Sequence, residues 1–185
     1  MALVSTKSYD LEIGELIIGS VQVGEAEELI EFIREVDRET DFLIREPGEF
    51  DLSIEEEEEF IKDKEENDKE LFLKAKLDGR IVGTLGFSTE MHNRYKHKGE
   101  FGMAVIKDYW GYNIGTNLLK NLLKWSDNKG YAKISLRVDL KNQRAISLYK
   151  KFGFKEEGVL KKNKYIGNGE YRDEIIMARI NKNNL

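Results

Sequence analysis

Two stretches of the sequence set residue types at spacings that suit chemistry. In the first, Val105-Ile106-Lys107-Asp108-Tyr109-Trp110-Gly111-Tyr112-Asn113-Ile114-Gly115-Thr116, the pattern predicts a strand that enters a glycine-bearing turn and then a helix. The first turn of a helix carries backbone N–H groups without intrahelical acceptors, at the positive end of the helix dipole. The N–H groups from Gly111 to Thr116 therefore offer a site for an anion, and glycine lets a phosphate approach where a Cβ would block it. Read alone, the same turn also fits a plain strand-to-helix connection with Asn113 as the cap. The second stretch is Asn142-Gln143-Arg144-Ala145-Ile146-Ser147-Leu148-Tyr149-Lys150-Lys151-Phe152-Gly153-Phe154. Asn142 stands at a cap position, Gly153 at a left-handed C-terminal stop, and Tyr149 on an apolar stripe with Ala145, Leu148 and Phe152. A tyrosine hydroxyl can act as a general acid, but the helix by itself favours a core tyrosine.

Together the two blocks resemble the cofactor-binding turn and following helix of the GNAT superfamily of N-acetyltransferases. The more specific part is Asn-x-x-Ala-Ile-x-Leu-Tyr-x-x-x-Gly-Phe, here Asn142 to Phe154. The turn departs from the family's usual Arg/Gln-x-x-Gly-x-Gly/Ala, with Trp110 at the basic or amide position and Asn113 at the middle glycine. Asparagine tolerates left-handed backbone, so the N–H cradle can form while one side-chain contact to phosphate is lost. The resemblance implies a GNAT-like three-layer α/β fold, with about seven strands in a mixed, mostly antiparallel sheet and about four helices. The sheet is expected to splay between the fourth and fifth strands.

The resemblance also implies acetyl-CoA as co-substrate and no metal. Met103, Ala104 and Val105 would pair with the pantetheine arm as an added strand pairs with a sheet edge. Gly111, Tyr112, Asn113, Ile114, Gly115 and Thr116 would hold the pyrophosphate, and a backbone N–H near Val105 would polarise the thioester carbonyl. A neutral amine would attack directly, with Tyr149 as the acid for the departing thiolate and Asn142 as both helix cap and contact to the cofactor arm.

An alkylamine of pKa about 10.4 is neutral in only about one molecule per thousand at pH 7, so its deprotonation needs help. The branch of the family that acetylates ribosomal-protein N-termini uses a glutamate on the fifth strand. Arg137 holds that position here and counts against this branch. Glu100, at the start of the fourth strand, stands near where other members keep an acidic base, although a one-residue register change would turn it away. His92 and His97 lie on a polar loop and read as solvated. The acceptor is expected to be a small-molecule amine, cationic like a polyamine or amino sugar, because the acidic run Glu55 to Glu59 lies in the segment expected to border it. A peptide N-terminus is the alternative, and a non-catalytic acyl-CoA sensor is a third reading.

These residues need elements to position them. Leu16 to Val21 reads as a first strand, and Leu29, Ile30, Ile33 and Val36 share one face of a helix from Glu25 to Arg38. Phe42 to Leu52 reads as loop, and Ser53 caps a helix to Glu66 whose apolar anchors are only Ile54, Phe60 and Ile61. The period then becomes two. Leu71 to Leu77 and Ile81 to Phe87 read as strands about the hairpin turn Asp78-Gly79, and Phe101 to Ile106 as a fourth strand after the polar loop Glu90 to Gly99. A helix from Ile114 to Asn128 buries Leu118, Leu119, Leu122 and Trp125, and Ile134 to Val138 alternates as a fifth strand. Phe154 to Lys161 and Tyr171 to Ile180 close the chain as strands joined by Gly167-Asn168-Gly169.

The 185 residues, 40% of them hydrophobic, fit a single N-acetyltransferase domain over 1–185. Mean hydropathy is −0.56, no apolar run reaches membrane-spanning length, and Met1 to Lys7 lacks a signal-peptide core, which makes cytoplasm the default. A net charge of −5 supplies no field for nucleic acid or a membrane. The absence of cysteine excludes a disulfide framework and a thiolate nucleophile. Oligomeric state is open, a homodimer included.

Overall fold

The computed structural model describes residues 4–184; Met1–Leu3, where the stretch read for a leader begins, and Leu185 lie outside the described residues. In chain order the elements are β1 (Lys7–Leu11), β2 (Gly14–Ser20), α1 (Ala26–Glu39), α2 (Ile54–Glu66), β3 (Leu71–Leu77), β4 (Arg80–Thr89), β5 (Lys98–Val105), α3 (Ile114–Lys129), β6 (Lys133–Asp139), α4 (Gln143–Lys151), β7 (Lys155–Tyr165) and β8 (Tyr171–Ile180). The strands form one sheet in the order β1-β2-β3-β4-β5-β6-β8-β7. The pairs β1–β2, β2–β3, β3–β4, β6–β8 and β7–β8 run antiparallel, and β5–β6 runs parallel. The sheet therefore has eight strands where the pattern leads to about seven. The added strand is β1, so the expected fourth and fifth strands are β5 and β6. Their ladder joins Lys98–Glu100 to Lys133–Ser135, while β5 runs on to Val105 and β6 to Asp139.

Packing divides the chain into two compact units, one of residues 4–88 with Met103–Trp125, the other of Thr89–Gly102 with residues 126–184. In the first unit, Leu29, Phe32, Ile33 and Val36 of α1 share a core with Ile61 of α2, Ile81 of β4 and Ile106. Asp78 and Gly79 both adopt positive φ, 51° and 82°, as a tight two-residue hairpin requires. Gly83 of β4 has a packing reason to lack a side chain. A Cβ there would lie 3.2 Å from the Ala104 carbonyl oxygen and 3.2 Å from Ile114 Cγ2. Glycine thus lets the end of β5 and the start of α3 close onto β4.

The expected anchors of α2 need correcting. Ile61 is fully buried, but Ile54 and Phe60 are 41% and 42% exposed, and the other inward residue is Glu57, 2% exposed. Glu57 and Ile61 lie one helical turn apart on the same face. Glu57 is tolerated there because Arg45, itself paired with Asp37 of α1 at 2.8 Å, lends its positive charge. Burial raises the Glu57 carboxyl pKa and the Arg45 charge opposes that rise.

In the second unit the two faces of the sheet differ in kind. Phe101, Ile134, Leu136, Val138, Ile175 and Met177 are buried on one face with Tyr149 and Phe154. The intervening positions of β5 and β6 carry Glu100, Arg137 and Asp139. The β7–β8 connection passes through Gly167, Asn168 and Gly169, all at positive φ. No helix among the described residues is long and apolar enough to cross a membrane.

Candidate functional site

The strand-to-helix turn lies in the first unit. Ile106 N donates to the Val82 carbonyl at 3.0 Å, a short 3-10 turn follows over Lys107–Tyr109, and Lys107 N donates to Glu39 Oε2 at 2.7 Å. Gly111 (φ 104°) and Asn113 (φ 63°) are both left-handed, and Asn117 N donates to the Asn113 carbonyl at 2.9 Å, which starts α3. Asn113 thus adopts the backbone that a glycine would supply at this position. The N–H groups of Ile114, Gly115 and Thr116 occupy the first turn, where a helix offers them no acceptor. Trp110 has a role that its position alone did not reveal. Its Nε1 donates to the Val105 carbonyl at 2.7 Å and closes the turn from within. Met103, Ala104 and Val105 are half-buried, so the Val105 carbonyl is engaged while its strand stays partly open.

The second block lies in the other unit. Asn142 Oδ1 accepts from Ala145 N at 3.1 Å, the expected cap. At the far end of α4, Phe154 N donates to the Tyr149 carbonyl at 3.1 Å and Gly153 N to the Lys150 carbonyl at 3.1 Å, with Gly153 at φ 84°. That is a Schellman stop, and it turns Phe154 back under the helix. Ile146 and Tyr149 are the buried residues of α4. The Tyr149 ring meets Phe101 edge-on at 5.7 Å and Phe154 at 5.9 Å. Burial pushes the phenol pKa well above its ordinary value, so at neutral pH the hydroxyl is protonated and can donate.

Glu100 faces away from that aromatic cluster, because its neighbour Phe101 points into it. Glu100 Oε1 accepts from Arg137 Nε at 3.0 Å, and both side chains are about half exposed. The register of β5 on β6 makes this pair, and no local pattern announces it. Asp139 is a residue that the motifs did not single out. It is 2% exposed, accepts from Lys141 N at 2.8 Å and pairs with Arg172 at 3.3 Å and Lys164 at 3.2 Å. Its own carbonyl accepts from Asn142 N at 2.9 Å, so Asp139 fixes the turn that delivers the α4 cap. An Asp three residues before the Asn142 cap was the available signal. His92 and His97 are exposed, and no group of three or more His, Asp or Glu side chains suited to a metal occurs among the described residues.

Comparison with known proteins adds independent evidence. A family model described as the acetyltransferase (GNAT) family matches residues 30–154. The chain is 35% identical over 109 residues to the L-amino acid N-acetyltransferase AaaT of Escherichia coli K12, covering 58% of this chain and 67% of that protein. It is 37% identical over 116 residues to an N-alpha-acetyltransferase of Sulfolobus acidocaldarius, with the same coverage of 58% and 67%. A solved GNAT-family acetyltransferase of Streptococcus pneumoniae superposes with TM-score 0.86 at 30% identity, covering 90% of this chain and 99% of that one.

Proposed function

The chain belongs to the GNAT family of N-acetyltransferases, and from that premise we propose that it moves the acetyl group of acetyl-CoA directly onto the primary amine of a small acceptor. The observation that carries this reading is the start of α3. Gly111 and Asn113 are left-handed there, and the N–H groups of Ile114, Gly115 and Thr116 have no helical acceptor. Such a start suits a pyrophosphate, so the residues present fit acetyl-CoA. Bound acetyl-CoA would supply an activated thioester. Gly111, Tyr112, Asn113, Ile114, Gly115 and Thr116 cradle the pyrophosphate, and Asn142 and the backbone of Met103, Ala104 and Val105 hold the arm. Trp110 engages the Val105 carbonyl and Gly83 of β4 lies beside the Ala104 carbonyl, so neither of these two carbonyls is offered to the arm.

In the transfer the amine nitrogen forms the C–N bond as the C–S bond breaks. The nitrogen's proton goes to Glu100, whose Oε2 is left over from its bond to Arg137, and the departing thiolate takes the proton of the Tyr149 hydroxyl. Burial keeps the hydroxyl protonated but makes it a weaker acid, so what supports the donor role is the match of Tyr149 to the family block, with the hydroxyl hydrogen-bonding the thiolate as its charge develops. The acidic run supports a cationic acceptor less than its length suggests. Glu56 is engaged in the capping box with Ser53, and Glu57 is buried beside Arg45, which leaves Glu55, Glu58 and Glu59 to attract a cation. The names of the two relatives extend the acceptor class to L-amino acids and peptide N-termini. Arg137, at the position where the N-terminal branch keeps its glutamate, weighs against the peptide.

An acceptor screen tests the reading. Acetyl-CoA is offered with polyamines, amino sugars, amino acids and short peptides, and free thiol is followed with a thiol reagent. Thiol release that depends on one amine class is expected. Acetyl-CoA binding without release for every amine would return the chain to an acyl-CoA sensor.

A further inference from the structure

The Glu100–Arg137 pair sits in the second unit, on the sheet face opposite the aromatic cluster, where the β5–β6 ladder ends at Glu100 and Ser135. Its geometry is incomplete in a specific way. Arg137 donates to Glu100 through Nε alone, and its two terminal nitrogens donate to no described residue. Glu100 accepts through Oε1 alone, and Oε2 accepts from no described residue. The side chains are 54% and 47% exposed, so the pair adds little to stability. What the pair leaves open is a guanidinium end with paired donors, which matches a carboxylate bidentately, beside one carboxylate oxygen, which matches an ammonium. A ligand whose carboxylate and ammonium are one carbon apart satisfies both at once. A plain amine leaves the guanidinium end unmatched, and a peptide N-terminus carries an amide where the carboxylate should be.

We propose that Arg137 and Glu100 read the acceptor as a free α-amino acid, Arg137 holding its carboxylate by the terminal nitrogens and Glu100 its amino group. This rests on the acetyl-transfer reading and narrows its acceptor class. Glu100 precedes the Met103–Val105 segment on the same strand, so the amine it holds lies along the strand that carries the arm. Arg137 acts here as a specificity-determining residue, and its bond to Glu100 through Nε leaves the terminal nitrogens of the fork to pair with the carboxylate.

The test compares each common L-amino acid with its own carboxamide, which keeps the amine and removes the negative charge. Thiol release from acetyl-CoA is the readout, and spermidine, glucosamine and an Ala-initiated peptide run alongside. The wild-type protein is expected to favour at least one free acid over its carboxamide by roughly ten- to a hundredfold in kcat/KM, the worth of a hydrogen bond to a charged group. Arg137→Gln should erase that preference by lowering the free-acid rate far more than the carboxamide rate, since the bond to Glu100 is lost for both acceptors and the carboxylate contact only for the acid. It should leave the acetyl-CoA-induced rise in melting temperature unchanged, and Arg137→Lys should restore part of the preference. Carboxamides served as well as free acids, or Arg137→Gln lowering both equally, would overturn the proposal. Release with spermidine, glucosamine or the peptide but no amino acid overturns it while leaving acetyl transfer intact. Failure of acetyl-CoA to raise the melting temperature would instead strike the underlying reading.

Discussion

The hydroxyl of Tyr149 sits on a ring packed edge-on to Phe101 and tilted to Phe154, so the side chain serves the core whether or not it serves catalysis. Tyr149→Phe separates the two roles because it keeps the ring. If the hydroxyl is the acid, turnover should fall roughly 10²- to 10⁴-fold with acetyl-CoA affinity unchanged, once chemistry is shown to limit the rate. A core role alone predicts near-normal turnover and about 1 kcal/mol of lost stability. The pH dependence carries a sign as well. Burial raises the folded phenol pKa above its unfolded value of about 10, so the contribution to stability is complete below that pH and is lost as pH rises through the raised value. Melts taken across that range should show less alkaline destabilisation in the variant. The role of Tyr149 was readable as a pair of alternatives, because Asn142 to Phe154 is a local pattern whose cap and stop formed as expected. The Glu100–Arg137 contact was not readable, since it depends on the register of two strands separated by α3. Trp110 was legible as a departure but not as the closure of its own turn, which needs the Val105 carbonyl in place.

Elements with strong local signals formed where the pattern put them, and those held by distant partners did not. The helix α3 spans Ile114–Lys129, with Leu118, Leu119, Leu122 and Trp125 buried as their spacing requires. The strand β1 has too few residues for a period, and its support comes from across the chain: Lys7 Nζ donates to Asn121 Oδ1 at 2.7 Å, and Asn121 Nδ2 to the Tyr9 hydroxyl at 2.8 Å. In α2, Ser53 capped the helix as read, but Glu57 took an inward position that only the Asp37–Arg45 pair makes tolerable. The start of α3 is the element on which the co-substrate reading depends. Gly115 lies within this helix and is not among the positive-φ glycines, so a side chain there does not strain the backbone. Gly115→Asp should therefore fold and still abolish the thermal shift caused by acetyl-CoA, because it puts bulk and negative charge where phosphate belongs. A folded variant with an undiminished shift would mean that this turn holds no phosphate.

At the scale of the whole molecule, the two compact units are not consecutive stretches of chain. The strand β5 contributes Lys98–Gly102 to one and Met103–Val105 to the other, and α3 is divided after Trp125. Neither unit can melt alone without breaking a strand's ladder and a helix's hydrogen bonds in mid-run, and the cost of a broken helix end falls on the unit that remains. We therefore expect 1–185 to behave as the single domain its length suggests, with one calorimetric transition whose van't Hoff and calorimetric enthalpies agree. Ligand linkage makes the same experiment informative about function. Acetyl-CoA at about 100 times its Kd should stabilise the folded chain by about 2.7 kcal/mol. For a chain of 185 residues, at about 2–4 °C per kcal/mol, that is a rise of about 5–11 °C in Tm. If 1–185 unfolds as one, the whole transition should move without splitting. Two resolved transitions, with acetyl-CoA shifting only one, would show that the units unfold separately and that the ligand draws on one of them alone.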